Sequence, residues 1–153
     1  MDDPLARALV SVRVTSKAGA GASLFARKRK SDLGPGWSFD IEEPQLTGAE
    51  YFLGALAADA LGAFRRVTTE RRLVVDEVEV RAEVTLANPL ALLGVIGAPG
   101  QPHYESILLQ VYVGSAAPTA ALQTAWNDAM GRAPMVITMR RATRLEITLQ
   151  VTP

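Results

Sequence analysis

The chain has 153 residues, of which 48% are hydrophobic and 21% charged, with 16 Lys plus Arg balanced by 16 Asp plus Glu and no cysteine. A chain of that length holds one core and buries roughly 68–70% of its unfolded surface, so a single domain over residues 1–153 is expected. The charge balance excludes a bulk field for nucleic acid or an anionic membrane. The missing cysteines exclude disulfides, thiolate metal sites and thiol nucleophiles.

The start, Met1-Asp2-Asp3-Pro4, is acidic where a secretory signal would be basic, and no apolar run approaches the ~20 residues that span a bilayer. A cytoplasmic location with no membrane partner is the expectation. Residues 9–15 alternate apolar and polar, Gly19-Ala20-Gly21 follows, and residues 24–30 continue, which predicts a β-hairpin. The glycine pair lacks the strand-before, helix-after context of a phosphate-binding loop and reads as a flexible turn. Arg27-Lys28-Arg29-Lys30 reads as a solvated strand face. After Gly34-Pro35-Gly36, the alternation in Trp37-Ser38-Phe39-Asp40-Ile41 predicts a third strand, ended by Pro44.

Thr47-Gly48-Ala49-Glu50 fits a capping box opening a helix to about Arg66. Phe52, Leu56, Ala60 and Ala63 share one face, widened by Leu53 and Phe64, and Asp59 sits inside it. Val78, Val80, Ala82, Val84 and Leu86 predict a half-buried antiparallel strand, and Ile107, Leu109, Val111 and Val113 a second. The intervening loop carries an apolar, glycine-punctuated stretch, residues 90–97, which is expected to line a pocket or pad a dimer contact. His103, the only imidazole, has no second histidine to share a metal and reads as a surface residue. Leu122, Ala125, Trp126 and Ala129 mark a second helix up to Gly131, Pro134 opens a continuation to Met139, and residues 143–152 alternate as a last strand. The grouping favours α+β with antiparallel sheets.

Two segments, Glu50-Tyr51-Phe52-Leu53-Gly54-Ala55-Leu56-Ala57-Ala58-Asp59 and Gly131-Arg132-Ala133-Pro134-Met135-Val136, resemble the OsmC/Ohr family of organic-hydroperoxide-resistance proteins. In that family an alanine-rich helix carries the peroxidatic cysteine, and a later Cys-Pro-Val opens the segment with the resolving cysteine. Asp59 stands at the first position here and Ala133 at the second. The resemblance implies an OsmC-like fold and an intertwined homodimer whose two interface sites are framed by both chains. It also implies a hairpin cation facing position 59, which falls on Lys17 with Arg13 as the less well aligned candidate. A family glutamate near the helix start falls about one position from Glu50, which the capping box explains equally well.

A thiol peroxidase attacks the O–O bond with a thiolate and passes through a sulfenic acid. A carboxylate and an alanine cannot follow that cycle, so peroxidase activity is expected to be absent. Asp59 is expected in an inter-subunit ion pair, in an open wet cavity, or reaching solvent at a helix edge, since an unpaired buried carboxylate is costly. The expected function is binding a small apolar molecule, without cofactor or metal, in a pocket lined by Phe52, Leu56, Leu93 and Ile96. The alternatives are an enzyme of another class using Asp59 as general base, or a structural partner protein docking through residues 90–96.

Overall fold

The computed structural model describes residues 8–18 and 21–153. The acidic start and Gly19 of the predicted hairpin turn lie outside them. The described residues form two compact units that divide between Phe52 and Leu53.

In the first unit, β1 (Arg13–Lys17), β2 (Gly21–Ala26) and β3 (Arg29–Leu33) form an antiparallel meander in that order. Two sequence expectations change here. The first strand begins at Arg13, and Leu9 and Val10 are 90% exposed, so the alternation of residues 9–12 has no ladder behind it. The basic run also spans no single strand. Ala26 pairs with Arg29, so Arg27 and Lys28 make a two-residue turn, with Arg27 at φ 56°.

Residues 37–41 form no strand. Asp40 Oδ1 accepts from the Glu42 amide at 2.9 Å, and Ser38 Oγ accepts from the Asp40 amide at 3.1 Å. Short polar side chains thereby take backbone donors that a ladder would need. The chain then enters α1 (Gly48–Glu70) through the predicted capping box. Glu50 N donates to Thr47 Oγ1 at 3.1 Å, and Thr47 N donates to Glu50 Oε1 at 3.1 Å. Tyr51 Oη, 2.7 Å from Ser31 Oγ, ties the first turn of the helix to β3.

The second unit takes the rest of α1, which runs one turn beyond the predicted end at Arg66. Its elements are β4 (Glu77–Ala87), the short α2 (Pro89–Leu92), β5 (His103–Gly114), α3 (Thr119–Met130), α4 (Pro134–Ala142) and β6 (Arg144–Thr152). The sheet order is β4-β5-β6. β4 pairs antiparallel with β5, but β6 joins β5 parallel, so the expected wholly antiparallel sheet is mixed. The reason is topological: β5 returns to β6 through two helices, and a helical crossover delivers the chain in the same direction.

Apolar residues face each other across the three strands, with Val80, Val111 and Leu149 in one row and Ala82, Leu109 and Ile147 in the next. The opposite face is polar, and there Arg81 lies over the Tyr112 ring at 5.1 Å. Leu56, Ala60, Phe64 and Val67 of α1 are fully buried, as are Leu122, Ala125 and Ala129 of α3. Phe64 meets Trp126 edge-on, with ring centroids 5.0 Å apart. At the helix ends, Asp128 accepts from Arg71 at 2.8 Å and from Arg132 at 3.1 Å, while Arg132 also reaches Glu70 at 2.8 Å. The hydrogen bond to Glu70, followed by the Asp128 charge, holds the Arg132 guanidinium above its ordinary range.

The β4–β5 connection is closed at its base by Asn88, which is left-handed at φ 56° and donates through Nδ2 to Gln101 O at 2.9 Å. Gly100, at φ 80°, is required there, because a Cβ would lie 2.5 Å from Asn88 Nδ2. Among the described residues no helix is long and apolar enough to cross a membrane.

Candidate functional site

The N-terminus of α4 lacks a conventional cap. Its N-cap position is Ala133, in extended conformation, whose side chain offers no acceptor. Four amides at a helix start ordinarily need partners outside the helix ladder. Pro134 has no N–H to satisfy, and Ile137 N donates to Ala133 O at 3.0 Å. That leaves Met135 and Val136.

Asp59 on α1 supplies the missing acceptor. Its Oδ2 receives the Met135 amide at 2.9 Å and the Val136 amide at 3.3 Å. A carboxylate in this position satisfies both donors and complements the positive end of the helix dipole, which together contribute about 1–2 kcal/mol. The half-buried Asp59 and the fully buried Ala133 are thus brought together at one helix start. An alanine N-cap followed by proline was the available sequence signal, because such a helix needs its cap from elsewhere in the chain.

A groove of about 310 Å³ runs along the same helix, lined by Pro134, Met135, Thr138 and Met139. Its surface is mostly apolar, since the Thr138 hydroxyl turns back to Pro134 O at 2.8 Å. The groove begins at the residue whose amide Asp59 holds. Sequence reading missed these methionines because their spacing also suits an ordinary core face.

Arg13 stacks over the Phe25 ring at 4.5 Å, and Lys17 pairs with Gly21 at the end of β1, both in the first unit. Glu50 is exposed and engaged in the capping box. Leu56 is fully buried core, and Phe52 is half-buried. Leu93 is 61% exposed and Ile96 fully so. His103 is the exposed first residue of β5, with Nδ1 2.8 Å from Gln101 O. Among the described residues no cluster of His, Asp and Glu could hold a metal, and Asp59 makes no ion pair among them.

Solved structures share this fold along nearly the whole chain. An OsmC-like protein from Mycoplasma pneumoniae superposes with a TM-score of 0.77 over 95% of this chain and 96% of its own, at 12% identity. The chain has an OsmC-like fold. The organic hydroperoxide resistance protein OhrB of Bacillus subtilis matches at a TM-score of 0.66 and 18% identity, over 94% of this chain and all of its own. An organic hydroperoxide resistance protein OsmC from Legionella pneumophila matches at 0.67 and 16% identity, over 96% of this chain and all of its own. No family model and no curated protein sequence matches the chain. This OsmC-like chain carries no cysteine, and its α1 and α4 meet through a carboxylate and two amides.

Proposed function

We propose that this chain is a cysteine-less member of the OsmC/Ohr family, one domain over residues 1–153, acting as a cytoplasmic homodimer that binds a small apolar molecule and reduces no peroxide. The observation that carries the reading is the Asp59 carboxylate bonded to the α4 amides beside Ala133. It occupies the place where the resemblance puts a thiolate, and a carboxylate has no sulfenic state to enter. Because Oδ2 is committed to two amides, Asp59 serves as a clamp, and its remaining oxygen is available to a cation. In the intertwined dimer, Lys17 or Arg13 of the partner subunit supplies that cation, and the ligand lies along the Met135 and Met139 groove. The exposed side chains of Leu9, Val10, Ile41 and Ile96 are apolar surface that a second copy of the chain would cover.

The test has three measurements on the purified protein. Light scattering is expected to give twice the chain mass. Incubation with tert-butyl hydroperoxide and dithiothreitol is expected to consume no peroxide beyond the protein-free control. The neutral fluorophore N-phenyl-1-naphthylamine is expected to raise the melting temperature, and Met139→Glu to cancel that rise. A monomer, or thiol-dependent turnover, refutes the reading.

A second reading, a structural protein docking through residues 90–96, draws on the exposure of Leu90, Leu93, Val95 and Ile96. No ligand-induced rise in melting temperature, together with a dimer, would favour it.

A further inference from the structure

Six of the chain's 16 lysines and arginines fall between residues 13 and 30, a stretch without Asp or Glu. A molecule that is neutral as a whole therefore has a basic segment. Screening confines the field of an exposed charge to about 8 Å at physiological ionic strength, so local balance decides what that segment attracts. Strand pairing sorts its side chains onto two faces of the first sheet. Val14, Ala22, Leu24 and Leu33 fall on one. On the other, Arg13, Phe25 and Lys30 form one row across β1, β2 and β3, and Thr15, Ser23 and Asp32 form the next. Thr15, Lys17, Ser23, Phe25 and Lys30 line a groove of about 230 Å³ on this second face, and Arg27 and Lys28 occupy the adjoining turn. We infer that this face binds single-stranded nucleic acid, with the cations on its phosphates and Phe25 against a base.

Three observations select that partner. First, none of the six cations makes an ion pair among the described residues, whereas Arg71, Arg81, Arg132 and Arg144 all have carboxylate partners. Asp32, the one carboxylate on the face, holds none of them. Second, Phe25 is half-buried on the central strand and lies on the polar face, where packing of the sheet does not call for it. The Arg13 guanidinium is 4.5 Å from its ring centroid and the Lys30 ammonium 6.0 Å. Bases stack on aromatic rings and on guanidinium planes, and such stacking tolerates any sequence. A base must be unpaired to reach a ring this way, which selects a single strand over a duplex. Third, Phe25 is the one large apolar side chain on the face, so an anionic lipid surface would find charge but almost nothing to bury.

The probe is a fluorescein-labelled oligothymidylate of about 12 nucleotides, within the site sizes of roughly 4–16 that such surfaces cover. It is titrated into the full chain and followed by fluorescence anisotropy as salt is raised. Saturable binding at low salt is expected, weakening with salt by about 0.7 log units per log unit for each phosphate held. Exchanging Lys28 and Lys30 together for Gln is expected to reduce that slope by about 1.4. Phe25→Leu, which keeps an apolar side chain, is expected to weaken binding about fivefold or more while leaving the slope unchanged. An abasic strand of the same length is expected to bind the parent about fivefold or more weakly; it tests the same contact should Phe25→Leu fail to fold. No saturable binding at low salt, equal affinity for the abasic strand, or a slope indifferent to the lysine exchange would each overturn the inference. Phe25, Lys28 and Lys30 have no part in the Asp59 reading, so the two proposals fail separately.

Discussion

Thr47 and Asp59 both satisfy helix amides, one from three residues away and the other from more than seventy. Thr47 was readable because a capping box is a local pattern with a fixed spacing. Thr47→Ala removes the acceptor for Glu50 N and should cost about 1 kcal/mol, seen as a lower urea midpoint with an unchanged slope. Asp59→Ala strips the acceptor from two α4 amides and should cost about 1–2 kcal/mol. Asp59→Asn keeps a neutral acceptor and should fall between that variant and the parent. Equal stability of all three proteins would show that the clamp contributes nothing. The sequence marked Asp59 as a polar residue on an apolar stripe, and the resemblance pointed to Ala133, but nothing local named the amides of Met135 and Val136 as its partners.

Elements were legible where periodicity was long and uninterrupted. The α1 stripe appears in the structure as the buried series Leu56, Ala60, Phe64 and Val67. Phe64→Ala would empty the contact with Trp126 and should cost about 3–5 kcal/mol, enough to leave much of the protein unfolded at 37 °C by circular dichroism. Periodicity misled at residues 37–41, where Ser38 and Asp40 convert an alternating segment into turns. It was also mute about direction. The alternation of β6 tells which side chains face inward, but a parallel and an antiparallel partner need the same pattern, so only the α3–α4 crossover decides the geometry.

For the whole molecule, element order and two short segments carried the fold, and identities of 12–18% to structures sharing it explain why the sequence alone matches no family model. The stretch between Ala87 and His103 contains no charged residue, yet it leaves Leu93 and Ile96 in water. If it pads the proposed dimer, Leu93→Asp or Ile96→Asp places an unpaired charge in the contact and should raise the dimer dissociation constant at least tenfold by analytical ultracentrifugation. The parent sedimentation profile, unchanged in both variants, would remove this stretch from the interface. The Asp59 bond to Met135 closes a loop of 76 residues, and that separation has a consequence in time. A contact that needs both helices already docked is expected to form late, after the chain has crossed its folding barrier. Its loss should therefore leave the refolding rate nearly unchanged and accelerate unfolding, so that Asp59 governs how long a folded molecule survives more than how quickly it is made.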